Sequence, residues 1–327
     1  MSDARYQRQQ QVPALGAQSQ QKLAAAHVLV VGAGGLGSPV SLYLAGAGAG
    51  QITLVDGDIV SQSNLHRQIL FQEKDVGASK AQIAKTRLSA LNSEITINAI
   101  NANLNTDNVK HLVQQATVVV DAADNFFASY LLSDVCLDQR VPLVSASALV
   151  TQGYVGIFCG TEDMPAPSLR AVFPAPPATI ANCNTAGVTG PSVGIIGSYQ
   201  AQEILKVIVE DTSQLRGKLL NFDLWNYRQS IIDFRTATEP ECHAGILSIL
   251  ALPAEHVLLD VRSTQEYQQD TPAMPAVNIP LDVLPQHLDQ LPKENTIVCM
   301  CYSGQRALHA AQFLLDQGFS NTKVTMR

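Results

Sequence analysis

The stretch HVLVVGAGGLGSPVSLYLAGAGAGQITLVD, residues 27–56, decides the fold. It predicts a buried strand, a glycine-rich turn, a helix and a second strand, which together form a βαβ unit. The turn carries Gly32, Gly34 and Gly37 in the spacing G-x-G-x-x-G, with Gly35 as a further glycine. Absent side chains let the backbone approach phosphate groups at a helix N-terminus, so we predict a nucleotide-binding turn. A tightly packed strand-to-helix turn is the alternative.

The composition is that of a folded protein without a nucleic-acid-binding or membrane-spanning character. The chain has 327 residues and a net charge of -7, with 46% hydrophobic and 15% charged residues. This length favours two domains, and the charge provides no basic surface for nucleic acid. The N-terminus is polar, and no apolar run is long enough to cross a membrane. The cysteines are too scattered for a disulfide framework, so we expect a cytoplasmic protein with reduced thiols.

Strands and helices continue to alternate after the first unit. Strands are predicted at residues 95–100, 117–121 and 142–146, with helices at 79–91 and 126–139. Such alternation predicts an α/β fold: a Rossmann-like, mostly parallel sheet with helices on both faces.

The chain is organised differently beyond these strands. Residues 160–191 are rich in Pro, Ala and Asn and are too long for an ordinary connection. A helix is predicted at 192–209 and a C-terminal hairpin at 218–234, after which RTATEPECHAG has the composition of a linker. A smaller α/β pattern follows. We therefore predict one domain over residues 1–244 and a second over 245–327.

Polar groups that suit a nucleotide follow the second strand of the βαβ unit. Asp56 ends that strand about 20 residues after the turn, where a carboxylate accepts hydrogen bonds from ribose hydroxyls. The candidates beyond it are Asp58, Asn64, Arg67, Gln68 and Lys80. Cations such as Arg67 and Lys80 can neutralise charge on a leaving pyrophosphate, which indicates a reacting triphosphate. Either cation alone would be interpreted as an ordinary surface charge.

Asp124 and Asn125 lie just past the predicted strand TVVVD, at the sheet edge where ligands of such folds bind. A carboxylate at this edge can hold Mg²⁺ that bridges phosphate oxygens. An isolated Asp-Asn pair would more often be a turn or a helix cap. We predict that Asp124 is the magnesium ligand.

Several motifs occur in the order of one known family. They are RYQRQ at 5–9, GAGGLG at 32–37, the segment 56–68, Lys80, and DAADN at 121–125. Together they resemble the ubiquitin-activating-enzyme-like adenylyltransferases, particularly the enzymes that activate the molybdopterin-synthase and thiamine sulfur carriers. The resemblance covers residues 5 to about 242.

The resemblance implies ATP and Mg²⁺ as cofactors and a small ubiquitin-like sulfur-carrier protein as substrate. The carrier's C-terminal Gly-Gly carboxylate would attack the α-phosphate, giving an acyl-adenylate and pyrophosphate. Asp56 would bind ribose and Asp124 would hold Mg²⁺. Phosphate-binding roles are implied for Asn64, Arg67 and Lys80. Arg8 of one subunit would reach ATP in the other, so the resemblance also implies a homodimer.

The metal site of the family is altered in this sequence. Two C-x-x-C pairs are usual, and the corresponding positions here are Ser168, Ala171, Cys242 and Gly245. A single thiolate cannot form the closed four-ligand site that structural zinc requires. We therefore predict no structural zinc. Cys183 corresponds to the cysteine of the family's crossover loop, and is either a sulfur or acyl acceptor or a small buried residue.

The second domain has a pattern of its own. CYSGQRA places Cys301 between a strand and a helix N-terminus, where a thiolate or persulfide is stabilised. With LLDVRSTQEY at 258–267 and NIPL at 278–281, this resembles a rhodanese-like domain. The resemblance implies that Cys301 carries a persulfide received from a donor such as a cysteine desulfurase. Rhodanese domains usually continue with a Gly-Gly turn and a helix, so we expect this domain to lack its usual C-terminal end.

Two other functional classes fit parts of the pattern. A nicotinamide-dependent oxidoreductase would use the same glycine turn, but would leave Arg67, Lys80 and the N-terminal arm unexplained. A non-catalytic scaffold that binds carriers would explain the altered metal positions. A related adenylyltransferase acting on a peptide or a transfer RNA is a further possibility. The carrier and its pathway, whether molybdopterin, thiamine or transfer-RNA thiolation, have no local signature in the sequence.

Overall fold

A computed structural model of the chain describes residues 3–176, 186–241 and 243–327. Its first part contains α1 (Asp3–Gln10), α2 (Gly16–Ala25), β1 (His27–Val31), α3 (Gly37–Ala47), β2 (Gln51–Val55), α4 (Lys80–Leu91), β3 (Thr96–Ile100), α5 (Val109–Gln114), β4 (Val118–Asp121), α6 (Phe126–Gln139), β5 (Leu143–Leu149), β6 (Gln152–Phe158), α7 (Leu169–Val172), α8 (Gly190–Val209), β7 (Lys218–Asp223) and β8 (Arg228–Asp233). The second part contains β9 (Gly245–Ile246), β10 (His256–Asp260), α9 (Thr264–Gln269), β11 (Val277–Asn278), β12 (Thr296–Cys301), α10 (Gln305–Asp316) and β13 (Thr322–Met326).

The first part is built on one eight-stranded sheet with the order β3-β2-β1-β4-β5-β6-β7-β8. The first five strands in the chain pair in parallel, which confirms the predicted Rossmann-like sheet. The residues of β4 are all buried, as expected of a strand covered by helices on both faces. The short helix α3 ends where Gly48 adopts a left-handed conformation with φ of 82°.

The strand order reverses direction at β1. The chain proceeds from β1 outward to β2 and β3, then returns to the other side of β1 to form β4. The loops after β1 and β4 therefore diverge, and leave a crevice at the carboxyl ends of these strands. The glycine turn and the DAADN segment are the loops that border this crevice.

The far side of the sheet is antiparallel. The predicted hairpin is confirmed as β7 and β8, but β6 was not predicted. It pairs antiparallel with β5 through a tight turn in which Val150 has a φ of 57°. A β-branched residue in this conformation is unusual, so the turn carries no recognisable signal in the sequence.

The second part is a five-stranded parallel sheet with the order β11-β10-β12-β13-β9. All six residues of β12, including Cys301, are buried. Helix α10 packs on β12 and β13. It begins immediately after the loop that follows Cys301, as predicted from CYSGQRA.

The two parts share a continuous apolar cluster. Phe127 of α6 and Ala307 of α10 both belong to it, and α10 packs against α6. The hydroxyl of Ser248 also donates a hydrogen bond to Asp107 across the junction, at 2.8 Å. Within the described residues, none of the helices has the length and apolar character needed to cross a bilayer.

Candidate functional site

The glycine turn is held by close backbone packing. Gly32 has a φ of 96°, and a Cβ added to it would lie 2.5 Å from the carbonyl oxygen of Ala122. A Cβ on Gly37 would lie 1.9 Å from the carbonyl oxygen of Gly32. No side chain can occupy either position without moving the loops after β1 and β4. These two glycines therefore let the turn form, and neither needs to contact a ligand.

The middle glycines face the crevice. A Cβ added to Gly34 would meet only Gln68 Nε2, at 3.6 Å, so a side chain here would occupy cavity space. A Cβ on Gly35 would come within 2.8 Å of Val193 on α8. Gln68 is buried, and its Oε1 has no hydrogen-bond partner among the described residues. The site thus contains a buried acceptor available to a donor group of a ligand.

Asp56 lies at the end of β2, opposite the glycine turn. Its carboxylate accepts hydrogen bonds from the N–H groups of Ala33, at 2.7 Å, and of Asp58, at 2.8 Å. Burial raises the pKa of the Asp56 carboxyl, and the nearby positive charge of Lys80 opposes this effect. A hydrogen bond donated by a ribose hydroxyl to this carboxylate would favour the charged form of Asp56. The position is that expected of a ribose-binding residue.

Lys80 is buried at the start of α4. Its Nζ lies 2.9 Å from Asp58 Oδ2, and its N–H donates to the carbonyl oxygen of Asp58. Asp58 itself is largely exposed, with a side-chain accessibility of 72%. The pair holds the ammonium group at the cavity wall, where a phosphate could replace the exposed carboxylate as its partner.

Arg67 and Asn64 come from one segment but differ in position. Arg67 lines the cavity, and its Nη1 donates to the carbonyl oxygen of Ser63 at 3.2 Å. Asn64 accepts a hydrogen bond from the N–H of Ser61 and caps a short 3₁₀ helix, so its carboxamide oxygen is already used. Asn64 is absent from the cavity lining. Its predicted phosphate contact stays a prediction.

Asp124 and Asn125 lie at the start of α6. The Asn125 side chain accepts a hydrogen bond from the N–H of Ala128 at 2.9 Å and is the N-cap of the helix. Asp124 is exposed, and its carboxylate forms no hydrogen bond or ion pair with the described residues. Asn125 therefore has the helix-cap role that was the alternative for this pair, and the magnesium contact of Asp124 stays a prediction.

These residues surround one cavity of about 700 Å³ at the carboxyl ends of β1, β2, β4 and β5. The predicted residues that line it are Gly32, Gly34, Gly35, Asp56, Asp58, Arg67, Gln68, Lys80, Asp124 and Asn125. Gly37 is beneath the turn, and Arg8 is exposed on α1 away from the cavity of its own chain. The structure therefore gathers both candidate cations and the candidate metal ligand around the glycine turn.

Asp121 is a buried polar residue that the sequence analysis did not single out. It accepts a hydrogen bond from the hydroxyl of Ser145 at 2.7 Å, and its carbonyl oxygen accepts one from Gln200. Burial raises the pKa of its carboxyl, while the hydrogen bond from Ser145 lowers it. These contacts join β4 to β5 and α8 below the cavity. The sequence signal that could have identified Asp121 is its position as the first residue of the DAADN motif.

The loop after Cys301 belongs to the second part of the chain. The Cys301 side chain is fully buried, so movement of the covering residues must precede acceptance of sulfur from a donor. Arg262 stacks over the Tyr302 ring, 4.4 Å from its centroid, and pairs with the buried Asp260. Arg306, in the first turn of α10, forms an ion pair with Glu266, Nη1 to Oε2, at 2.7 Å.

The Glu266 pair changes the electrostatics of the cysteine loop. The hydrogen bonds from Arg306 hold the pKa of the Glu266 carboxyl down to about 2, and those same bonds raise the pKa of Arg306. Both groups are therefore charged, and much of the positive charge of Arg306 is compensated. Stabilisation of a sulfur anion then depends mainly on the N–H groups of the loop and the N-terminus of α10. Cys183 lies outside the described residues.

Comparison with known proteins places these features in a family. The ThiF family model matches residues 6–244, and the model of the rhodanese-like domain matches residues 248–326. The chain belongs to the ThiF family. Within this family, it is similar to "Adenylyltransferase and sulfurtransferase MOCS3" of Culex quinquefasciatus, with 37% identity over 321 residues, covering 85% of this chain and 72% of that protein.

A further relative and a solved structure are also similar to this chain. "Adenylyltransferase and sulfurtransferase MOCS3-1" of Zea mays is 33% identical over 373 residues, covering 98% of this chain and 79% of that protein. Among solved structures, E. coli MccB with ATP superposes with a TM-score of 0.61 at 25% identity, covering 71% of this chain and 72% of that chain. The ThiF family and the rhodanese-like domain, both predicted from the sequence, are confirmed.

The four positions that correspond to the two C-x-x-C pairs are occupied differently in this chain. Ser168 is buried, its hydroxyl donates to Glu239, and its oxygen caps α7. Ala171 and Gly245 have no side-chain donor atom, and Cys242 lies outside the described residues. The Ser168–Glu239 hydrogen bonds join the long connection to the end of the first domain.

We predict that the purified protein holds no stoichiometric zinc. Three of the four positions that correspond to the C-x-x-C pairs offer no thiolate. A structural zinc site can contribute about 10 kcal/mol or more to folding, so its presence would be evident in the stability of the protein. Metal analysis should find well under one zinc per chain, and a chelator should leave the thermal unfolding midpoint unchanged. Glu239→Gln should lower that midpoint, because it removes the negative charge of the group that accepts the hydrogen bonds from Ser168. Stoichiometric zinc that a chelator removes would contradict the prediction.

Proposed function

We propose that this chain transfers AMP from ATP to the C-terminal carboxylate of a small ubiquitin-like sulfur-carrier protein ending in Gly-Gly. Its rhodanese-like domain then supplies sulfur, so that the carrier leaves with a thiocarboxylate. One observation carries the proposal: Arg67, Lys80 and Asp124 border the same cavity as the glycine turn. The relatives named adenylyltransferase and sulfurtransferase support both halves of this activity.

The cavity contains the groups that adenylylation needs. A carrier's terminal carboxyl group has a pKa of about 3.5 and is already an ionised nucleophile at neutral pH, so no general base is required. Attack forms a bond from the carboxylate oxygen to the α-phosphorus, and the bond to the pyrophosphate oxygen breaks. Arg67 and Lys80 stabilise the negative charge that develops on pyrophosphate. Asp56 binds the ribose of ATP, and the backbone of the glycine turn binds its phosphate groups.

A magnesium ion fits the donor groups at this edge of the sheet. Asp124 offers an exposed carboxylate that has no partner in the part of the chain that the structure describes, and Mg²⁺ prefers hard oxygen ligands of this kind. Bound with ATP, the ion supplies charge neutralisation on the phosphate oxygens. Asp124 is the residue that would hold it. Asn125 keeps the start of α6 in place beside it.

Sulfur transfer follows adenylylation. A persulfide anion on Cys301 attacks the acyl carbonyl carbon, forming a carbon–sulfur bond as AMP leaves with the electron pair of the broken carbon–oxygen bond. The product is an acyl disulfide that joins the carrier to Cys301. A thiol then attacks the Cys301 sulfur, the sulfur–sulfur bond breaks, and the thiocarboxylate departs. Cys301 is left in a disulfide with that thiol, and Cys183 is our candidate for it.

The partners follow from this chemistry. A persulfide donor, such as a cysteine desulfurase, loads Cys301 before each turnover. A homodimer is proposed because Arg8, on the exposed surface of α1, does not reach the cavity of its own chain. In a dimer it would contact ATP in the partner subunit. We propose a cytoplasmic location, where thiols remain reduced.

The competing functions have less support. A nicotinamide-dependent oxidoreductase is not favoured, because the matched relatives are adenylyltransferases and the cavity places two cations where a redox cofactor needs none. A non-catalytic scaffold would not need Lys80 buried at the wall of the nucleotide cavity.

Carrier-dependent ATP–pyrophosphate exchange tests the proposal. The intact chain, incubated with small ubiquitin-like proteins ending in Gly-Gly, should return radiolabel from pyrophosphate into ATP only when its own carrier is present. The same carrier without its terminal glycine is the control and should give no exchange. Calorimetric titration should show binding of ATP with magnesium and no binding of NAD. Binding of NAD, or no exchange with any carrier, would refute the proposed function.

A further inference from the structure

The cavity described above is closed on one side by the second domain. Tyr302, Ser303 and Gln305 of the cysteine loop, with Met326 at the end of β13, line it together with the nucleotide-binding residues. Asp124 and Asn125 face the same space from the start of α6. The residues that directly follow Cys301 therefore border the cavity in which the acyl-adenylate would form.

The contact that seats this loop is Gly304 on Phe127. Gly304 has a φ of 73°, and a Cβ added to it would lie 2.0 Å from the Phe127 ring. Phe127 belongs to the first turn of α6, three residues from the candidate magnesium ligand, and is almost fully buried. Only a residue without a side chain allows the loop backbone to approach the ring this closely.

The loop is also supported from behind. Tyr302 is stacked against Arg262, which is itself paired with the buried Asp260. Helix α10, which begins at the end of the loop, packs on α6, and the apolar cluster continues from one domain into the other. The loop is thus supported on both sides by residues of the two parts of the chain.

We infer that sulfur is delivered within a single polypeptide: the Cys301 persulfide attacks the acyl-adenylate held by the first domain of its own chain. This inference rests on the proposed function and adds that the sulfur donor and the acyl-adenylate belong to the same chain. It assigns Phe127 and Gly304 as positioning residues, because they set where the cysteine loop meets the cavity. The bonds that form and break are those given above, with AMP as the leaving group and an added thiol as the reductant.

Two mixed dimers distinguish delivery within a chain from delivery between chains. Co-expression with two affinity tags gives one species that pairs a Lys80→Ala chain with a Cys301→Ala chain. A second species pairs a wild-type chain with a chain carrying both substitutions. Thiosulfate loads Cys301 with sulfur and releases sulfite, dithiothreitol is the thiol, and mass spectrometry detects the thiocarboxylate on the carrier.

Delivery within a chain predicts opposite results for the two species. The first should form no thiocarboxylate, and the second should work at about half the wild-type rate, because one intact chain remains per dimer. The reverse pattern, with activity in the first species and none in the second, would overturn the inference.

Controls separate this test from folding and from the proposed function. The Lys80→Ala chain must accept radioactive sulfur from thiosulfate on Cys301, and Arg67→Ala replaces it if it does not fold. Phe127→Leu should slow thiocarboxylate formation severalfold, while sulfur loading of Cys301 persists. Phe158→Leu changes a buried phenylalanine that does not line the cavity, and it should leave the rate of thiocarboxylate formation unchanged. A Phe127→Leu variant with unchanged formation would contradict the positioning role. Absence of exchange in the wild-type chain would refute the proposed function and the inference with it.

Discussion

Lys80→Ala should lower carrier-dependent ATP–pyrophosphate exchange by about 100- to 1000-fold, the range seen when one group that stabilises developing charge is removed. The ammonium group is buried at the cavity wall, and among the described residues its ion-pair partner is the exposed carboxylate of Asp58. After its removal, Arg67 is the remaining predicted cation of the same chain that can stabilise the charge on the departing pyrophosphate. Steady-state exchange kinetics at saturating carrier measure this effect.

Lys85→Ala is the matched control for this prediction. Lys85 lies on the same helix, α4, but is exposed and absent from the cavity lining. Its loss should change exchange little, and stability by no more than about 0.5 kcal/mol. Lys80→Arg keeps the charge but enlarges the head group, so it should restore part of the activity. Equal exchange in the Lys80→Ala and Lys85→Ala variants would mean that the triphosphate binds elsewhere.

Much of the first domain was predictable because its signals are local. The strand, glycine turn and helix at residues 27–47 depend on neighbours in sequence, and β4 followed from a short apolar run. Strand β6 was not predictable by these means. The residues between β5 and β6 contain none of the usual hairpin turn residues, and Val150 adopts a positive φ that a β-branched residue rarely takes. Tertiary pairing with β7 stabilises the turn instead.

The candidate site shows the same division. Asp56, Lys80 and Asp124 were identified from motifs, because each follows a strand end or opens a helix at the same edge of the sheet. The capping role of Asn64 was missed, since a side chain that caps a turn and one that binds phosphate have the same sequence pattern. The position of Tyr302 at the nucleotide cavity could not be predicted, because no sequence spacing determines how two domains pack.

Cys301→Ala should abolish thiocarboxylate formation and retain pyrophosphate exchange. The persulfide has no other carrier in the proposed route, whereas the exchange reaction is complete before sulfur is needed. Cys301 lies at the end of β12, and the loop that follows it faces the cavity. Mass spectrometry of the carrier and the exchange assay, performed on the same sample, measure the two steps separately.

Cys299→Ala provides the internal control for that result. Cys299 is two residues earlier on β12, and burial raises the pKa of its thiol well above the usual range, with Cys301 adding to the shift. It is therefore a neutral thiol packed in the core, and replacing it should cost roughly 1 kcal/mol of stability while sulfur transfer continues. If Cys301→Ala lost exchange as well, the cysteine loop would be a structural part of the nucleotide site. If it retained thiocarboxylate formation, sulfur would have to reach the acyl-adenylate through another thiol.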